Sequence, residues 1–487
     1  MLLSEILYGI SIQASAGDMA KEITSITFDS RRVQENTLFV AIPGTQVDGH
    51  QFIETAISNG ATAILCEQLP SQLSPHITYV QVTQSAQAMG RVASTFYGHP
   101  SKKVRVVGVT GTNGKTSIAT MLFRLYRHLG YRCGLLSTVQ NQIEDEVIPS
   151  THTTPDSVTI QQLLHTMYER GCQYVFMEVS SHAVVMDRIA GIHFAGGVFT
   201  NITQDHLDFH GTFAHYIKAK QGFFDLLPAS AFALTNADDK NGKIMIQNTV
   251  ARRESYSLKN VGTFKGKLLS CGLAGIEMTI DNQDVWFKLI GQFNAYNLLA
   301  VYGTAILLGN DSDEILTYLS TILPPPGRFE RIYVPNAPTG IVDYAHTPDA
   351  LKNVLETIVN LREGNQKIIT VVGCGGNRDK GKRPLMADIA CSLSDQVILT
   401  SDNPRFEDPH TIIEEMYAGV KITHRKRTQI IEDRRAAIQK AIEMANPSDI
   451  ILVAGKGHED YQDIQGVKHH FDDREELRNG FQQWTNT

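Results

Sequence analysis

The chain has 487 residues, of which 42% are hydrophobic and 20% charged, with a formal net charge of −7. That length suits about three domains of typical size, and the composition is that of a globular protein without a disordered arm. The negative balance argues against bulk nucleic-acid binding, so an anionic ligand has to be held by local clusters of Arg, Lys and backbone N–H groups.

The N-terminal run MLLSEILYGI has no basic leader and carries Glu5, which argues against a signal peptide. From residue 23 to about 100, the apolar runs TLFVAI, TAILCE and ITYVQV alternate with helical patterns such as GHQFIETAISNGA, which predicts a small α/β domain. The helix SAQAMGRVASTFYGHP closes it, and SKK reads as a linker.

Next comes VGVTGTNGKTS (107–117), led in by KVRVV as a buried strand and followed by IATMLFRLYRHLG as a helix. Glycines and a lysine therefore fall where a strand hands over to a helix N-terminus. Backbone N–H groups of such a turn and the positive end of the helix dipole favour phosphate, while Lys115 adds a charge and Thr116 a hydroxyl for Mg²⁺. The usual pattern needs glycine at 109, where this chain has Val109 and offers Gly111 instead.

The strands YVFMEVSSHA, AGGVFTNI and FALTNADD continue this second α/β series, each ending in polar residues. In open parallel sheets such carboxyl ends gather around the ligand. Glu178, Ser180, Ser181 and His182 form one cluster; Asn201, Asp205, His206, Asp208 and His210 form another. Near nucleotide phosphates they suit Mg²⁺ or phosphate positioning; alternatively His206 and His210 satisfy loop carbonyls. In YIKAKQGFFDLL (216–227), the helical pattern leaves Lys218 and Lys220 on the surface. LLAVYGTAILLG (298–309) is too short and mixed to span a bilayer and reads as a core helix.

The run LPPPGRFERI (323–332) breaks helix and strand, and the α/β pattern restarts with TGIVDYAHTPDAL, KIITVVGCGGNRDKGKR, QVILTSDNPR and DIILVAGKGHEDY. GCGGNRDKGKRP (373–384) concentrates Arg378, Lys380, Lys382 and Arg383, either as a cradle for phosphate or carboxylate or as an exposed turn. Arg405 suits a bidentate carboxylate contact, and Glu459 an ammonium. The six cysteines form no C-x-x-C pair, which fits free thiols in a reducing cytosol and no structural metal.

TGTNGKTS, MEVSSHA, TNITQDHLDFHG, YIKAKQGFF, GQFNAYNLLA, PPPGRFE, DYAHTPDAL and GGNRDKGKRPLM, in this order, resemble the Mur ligase family across essentially the whole chain. Within that family, TFDSRRV, THTTPD and DNPR are most similar to members that add meso-diaminopimelate. The resemblance implies an α/β protein of three domains. These are an N-terminal UDP-substrate domain (1–102), a central phosphate-loop ATPase sheet (103–326) and a C-terminal Rossmann-like amino-acid domain (327–487). It implies a cytoplasmic, monomeric ligase of peptidoglycan synthesis, with no nucleic acid and no stable membrane insertion. Its partners would be ATP, UDP-N-acetylmuramoyl-L-Ala-D-Glu and meso-diaminopimelate, joined through an acyl phosphate.

Residue by residue, the resemblance assigns the ATP site to Gly111, Thr112, Asn113, Gly114, Lys115, Thr116, Asn294, Arg328, Asp343 and His346. It assigns Mg²⁺ and the γ-phosphate region to Thr116, Glu178 and His206. It makes Lys220 a lysine carbamylated by CO₂ that serves a second Mg²⁺, against the surface reading of its helix. Ser30, Thr153, Thr154, Ser180 and Arg188 match positions for the UDP-muramoyl dipeptide, although His152 stands where asparagine is usual. Arg378, Asp402, Asn403, Arg405, Gly455 and Glu459 match the diaminopimelate pocket, where Arg405 would meet a distal carboxylate that lysine lacks. An L-lysine-adding member, a folylpolyglutamate synthetase-like ligase and a non-catalytic nucleotide-binding module are the alternatives. Residues 1–100 tell against the second.

Overall fold

The computed structural model describes residues 1–44, 47–149 and 152–484, packed as two compact units, 1–265 with 299–315 and 266–298 with 316–487. Thr151 of the THTTPD motif and the side chain of Asp208 lie outside what is described.

The first unit carries two sheets. The N-terminal one consists of β1 (Ile12–Ala16), β2 (Ser25–Thr27), β3 (Thr37–Val40), β4 (Ala61–Cys66) and β5 (Thr78–Val82), in the order β1-β5-β4-β3-β2. Only β1 runs antiparallel to its neighbour. β3 and β4 are buried on both faces, as the continuous run TLFVAI requires: Leu38, Val40, Ala63 and Leu65 enter one core, Phe39, Ala41, Ile64 and Cys66 the other.

The second sheet holds β6 (Arg105–Thr110), β7 (Cys133–Leu136), β8 (Asn141–Ile143), β9 (Glu146–Ile148), β10 (Tyr174–Glu178), β11 (Phe194–Phe199), β12 (Phe232–Asn236) and β13 (Arg252–Ser257). They are ordered β13-β12-β11-β6-β10-β7-β8-β9. The strands from β13 to β7 are parallel, and β8 and β9 append an antiparallel edge. Central β6 has β10 on one side and β11 on the other, so the strand order reverses around it, and the cleft at such a switch point is where α/β sheets bind ligands. Register sets Glu178 beside Val109 and Phe199 beside Thr110, bringing the polar strand ends to the phosphate loop.

In the second unit, β14 (Phe264–Gly272), after its first two residues, forms an antiparallel meander with β15 (Gly275–Ile280) and β16 (Gln283–Phe287). No run singled out in the sequence covers this meander, whose strands are only partly buried and lack the continuous apolar stretches seen elsewhere. The Rossmann-like sheet has β17 (Glu330–Ile332), β18 (Thr339–Asp343), β19 (Ile368–Val372), β20 (Gln396–Leu399), β21 (Thr428–Ile430) and β22 (Ile450–Ala454), in the order β17-β18-β22-β19-β20-β21. All but β17 are parallel. Alternate residues feed opposite cores: Ile368, Val372, Leu399 and Leu452 one, Ile369, Val371, Ile398 and Val453 the other. Each fully buried side chain of this kind contributes about 1.5–3 kcal/mol of transfer free energy. A short hairpin, β23 (Tyr461–Ile464) with β24 (Val467–His470), follows.

The helix Gln292–Leu307 has a buried core at Ala295, Leu298, Leu299 and Val301, and no helix among the described residues is long and apolar enough to cross a membrane.

Candidate functional site

The loop after β6 is built for an anion. Gly111 cannot be replaced by a larger residue, since a Cβ there would lie 1.8 Å from Thr200 Oγ1. Asn201 braces the turn from β11: its Oδ1 accepts from Asn113 N (3.0 Å), its Nδ2 donates to Asn113 O (3.1 Å), and its carbonyl accepts from Thr112 N (2.8 Å). The helix Lys115–His128 then starts with Gly114 as its cap, leaving first-turn N–H groups directed at the loop. Lys115 Nζ donates to Gly111 O (2.9 Å) and Thr112 O (2.8 Å), so the ammonium lies folded over the same turn.

Glu178 ties this loop to a second cluster. Its Oε1 accepts from Thr116 Oγ1 (2.9 Å) and Thr138 N (2.8 Å), and Thr154 Oγ1 donates to its backbone carbonyl (2.9 Å). Thr154 also accepts from Ser180 N (3.1 Å), and Arg188 donates to Thr154 O (3.0 Å). Thr153 joins through Thr138 Oγ1 (3.1 Å). Burial lowers the Arg188 pKa, against the pull of Asp156. Four of the five residues expected at the UDP-muramoyl dipeptide are thus one network around Glu178. Ser30 is buried at the start of the short 3-10 helix Ser30–Arg32 that follows β2, its carbonyl accepting from Asn59 Nδ2 (2.9 Å), without a described bond to the other four.

The Glu178 carboxylate is 1% exposed, and its Oε2 is buried without a hydrogen-bond partner. A buried carboxylate oxygen of this kind, beside the Thr116 hydroxyl, fits a hard cation that keeps waters and phosphate oxygens as its other ligands. No group of three or more His, Cys, Asp and Glu side chains able to hold a metal occurs among the described residues. His206 stands at φ +52°, with Nε2 3.5 Å from Asp205 and its ring 4.8 Å from that of His182. His210, by contrast, is buried with Nε2 2.9 Å from Ser181 Oγ.

Lys220 corrects the surface reading of its helix. In Phe213–Asp225, Lys218 is exposed, but Lys220 is 1% exposed and its Nζ donates to Gly111 O (2.8 Å), with the Tyr216 ring 4.7 Å away. The two lysines are only two positions apart, on opposite sides of the helix, and the packing of Tyr216, Phe223 and Phe224 turns the Lys220 side to the phosphate loop. Burial, reinforced by the neighbouring Lys115 charge and opposed by Asp205, pushes its pKa well below that of an ordinary lysine.

In the second unit, Asp343 ends β18, where its carboxylate accepts from Phe329 N (2.7 Å) and Ala345 N (2.8 Å). Burial raises its pKa to about 6, against the Arg328 charge and those two N–H groups. The Arg328 guanidinium lies 4.5 Å from the Tyr344 ring centre, and His346 Nδ1 is 3.0 Å from Tyr344 O. Asn294 is fixed by bonds to Ile290 O (2.8 Å) and from Asn297 (2.9 Å), while Phe293 beside it packs on Phe329 (5.5 Å). Asn294, Arg328, Asp343 and His346 therefore share one neighbourhood.

A second cluster in this unit gathers the residues matched to diaminopimelate. Asn403 Nδ2 donates to Glu459 Oε2 (2.7 Å), and Arg405, at φ +52°, donates to Gly376 O (2.9 Å). The backbone on either side of Arg405 is clipped to the hairpin, with Arg405 N on Asp463 O (2.9 Å) and Gln465 N on Arg405 O (2.8 Å). Gly455 has φ +119°, and a Cβ there would approach Asp402 Oδ2 to 2.5 Å. Gly455→Ala is expected to cost about 1–3 kcal/mol, read as a fall in the thermal midpoint, because it combines backbone strain with displacement of a buried carboxylate.

The basic run 373–384 is not a free cradle. Arg383 is buried in a bidentate pair with Glu407 (3.0 and 3.1 Å) and reaches Glu415 (2.6 Å), Lys380 lies 3.5 Å from Glu407, and Lys382 donates to His346 O (2.8 Å). These acids lie some 30 residues downstream and are indistinguishable in sequence from solvated ones. Arg378 remains exposed.

Two residues here escaped the sequence reading. Lys456 is 0% exposed, with Nζ donating to Asn403 Oδ1 (3.1 Å), Glu459 Oε2 (3.5 Å) and Tyr461 O. Its place between two glycines after an apolar strand, AGKGHED, was the available signal. Arg434 forms a fully buried pair with Asp473 (2.7 and 2.8 Å) and donates to Ala454 O (3.1 Å), tying down the end of β22. Nothing in DRRAA separates it from exposed Arg435.

Residues 22–97, 109–305 and 327–457 match, respectively, the Mur ligase family catalytic domain, the Mur ligase middle domain and the Mur ligase glutamate ligase domain. The chain is 56% identical over 475 residues to a UDP-N-acetylmuramoyl-L-alanyl-D-glutamate–2,6-diaminopimelate ligase of Cytophaga hutchinsonii, covering 97% of this chain and 98% of that one. It is 54% identical over 481 residues to a ligase of the same name from Bacteroides fragilis, covering 99% of each. A solved structure of a UDP-N-acetylmuramoyl-L-alanyl-D-glutamate–2,6-diaminopimelate ligase matches with a TM-score of 0.71 at 33% identity, over 100% of both chains. A phosphate loop braced as described, set in a chain that its relatives match almost end to end, leads to one conclusion: this protein belongs to the Mur ligase family.

Proposed function

We propose that the protein is the ATP-dependent ligase that joins meso-diaminopimelate to the D-Glu γ-carboxylate of UDP-N-acetylmuramoyl-L-Ala-D-Glu. The observation that carries this is the 56% identity, over 97% of the chain, to a ligase of that name. A carboxylate is a poor electrophile, since its oxygen does not leave. Transfer of the ATP γ-phosphoryl group makes an acyl phosphate, the amine of diaminopimelate attacks it, and the amide forms with loss of phosphate. ADP is the other product.

In this reading residues 1–102, 103–326 and 327–487 are the UDP-substrate, ATPase and amino-acid domains. Gly111 to Thr116 hold the ATP phosphates, with Lys115 placed to neutralise charge on the transferred group. Asn294, Arg328, Asp343 and His346 are the remaining positions assigned to ATP. Thr153, Thr154, Ser180 and Arg188, with Ser30, hold the UDP-muramoyl dipeptide. Thr116, Glu178 and His206 would hold Mg²⁺, which when bound neutralises phosphate charge; the unpartnered Glu178 Oε2 supports this. Lys220 fits carbamylation by CO₂, because a buried lysine with a depressed pKa keeps a neutral, nucleophilic amine. All six cysteines are free thiols, in keeping with a reducing cytoplasm.

An L-lysine-adding ligase is the second reading. Arg405 speaks against it, since lysine offers its guanidinium no distal carboxylate. The deciding assay is phosphate release from ATP with the UDP-muramoyl dipeptide and either meso-diaminopimelate or L-lysine. Turnover is expected with the first, and turnover with lysine alone would reverse the assignment.

A further inference from the structure

We propose that Lys456 is a specificity-determining positioning residue, whose buried ammonium is the counter-charge that keeps the Glu459 carboxylate anionic and, with Asn403, oriented to receive the ammonium end of the incoming amino acid. This rests on the assignment of the 402–459 cluster to the diaminopimelate pocket. Lys456 cannot itself meet substrate. It is 0% exposed, and its Nζ already donates to Asn403 Oδ1 (3.1 Å), Glu459 Oε2 (3.5 Å) and Tyr461 O. A lysine has three donors, and all three are used within the protein. What it can do is act on Glu459, both directly and through Asn403, whose amide donates to the same Glu459 Oε2 at 2.7 Å.

The surroundings of Glu459 show why a cation is needed there. Burial and the Asp402 carboxylate both favour its protonated form, while Lys456 and the Asn403 amide oppose them. Arg434 and Tyr344 also face it, from the helix Arg434–Met444 and from the end of β18. Arg434, however, is held by Asp473 at 2.7 and 2.8 Å with both side chains fully buried, and it makes no described hydrogen bond to Glu459. Arg405 acts on neighbouring Asp402 and directs its guanidinium to Gly376 O (2.9 Å). Lys456, which also acts on Asp402, is among the described residues the cation whose ammonium bonds Glu459 directly (3.5 Å). A protonated Glu459 would offer a substrate ammonium a weak dipole in place of a charge.

Lys456→Gln keeps hydrogen-bond donors at this position and removes the charge. The measurement is the KM for meso-diaminopimelate from pH 6.5 to pH 8.5, as the ratio of variant to parent, which cancels titration of the amino acid itself. Loss of the cation moves Glu459 toward its neutral form, so the ratio is expected to be high at low pH and to fall as pH rises and Glu459 ionises. The expected change is about tenfold per unit that the carboxyl lies above the working pH. The KM for ATP stays within about twofold. Adding Glu459→Gln is expected to flatten the profile at a high KM. Lys456→Met, which leaves no buried amide to satisfy, is the second variant should the first not fold. A ratio that is the same at every pH, or a pH dependence that survives Glu459→Gln, overturns the proposal. The parallel variant Arg405→Ala separates the two levels: if it leaves the diaminopimelate KM unchanged, the pocket assignment fails, whereas a raised KM there with a pH-flat Lys456→Gln ratio defeats this inference alone.

Discussion

Lys115→Ala is expected to lower ATP-dependent phosphate release about a thousandfold, on the scale of ~3–4 kcal/mol seen when one preorganised donor to a developing charge is removed. The geometry makes this a test of chemistry and not of folding. Lys115 is the first residue of the helix Lys115–His128, a position alanine fills well, and its ammonium bonds to the Gly111 and Thr112 carbonyls of a turn that Asn201 also holds from β11. Stability should therefore change by about 1–3 kcal/mol at most, the worth of the two hydrogen bonds lost. The variant also removes the like charge that helps depress the Lys220 pKa, so Lys220 should titrate closer to an ordinary lysine. Phosphate release with dipeptide and diaminopimelate, alongside a thermal melt, gives both quantities. An unchanged rate in a folded variant would remove the phosphate-loop assignment.

Arg405→Ala should raise the KM for meso-diaminopimelate about 30- to 100-fold and leave that for ATP within about twofold. Removing one partner of a buried charge pair costs about 2–5 kcal/mol. Arg405 is only half-buried, which places the effect near the lower end, ~2–3 kcal/mol, at tenfold per ~1.4 kcal/mol. The αL backbone at Arg405 is imposed by its two bonds to the hairpin, at Asp463 O and Gln465 N, so truncating the side chain leaves the loop in place. A left-handed conformation at a non-glycine residue costs on the order of 1–3 kcal/mol, and here it is spent on directing a guanidinium. Equal losses for diaminopimelate and ATP would place Arg405 outside the amino-acid pocket.

Much of the fold is legible because its signals are local. The alternating apolar strands and helical runs of 23–100, 105–236 and 339–454 become three layered sheets, since a strand buried on both faces must be apolar throughout and its carboxyl end must return to solvent or ligand. The phosphate loop is legible for the same reason: the turn, the lysine and the helix start are contiguous. The meander at 264–287 is not, because its half-buried strands carry mixed residues whose pattern depends on what covers one face.

The sites divide in the same way. Sequence alone determined which residue types stand at the strand ends: a glycine turn with Lys115, the Glu178 and His206 clusters, and Arg405 with Glu459. Tertiary structure decided which of them are charged, buried or already engaged. Lys220 meets Gly111 across 109 residues, Arg383 is taken up by Glu407 and Glu415, and Arg434 finds Asp473 across 39. Burial and ion pairing arise between segments distant in the chain, and the cost of desolvating a charge, which sets each of these states, has no value until the neighbours are in place.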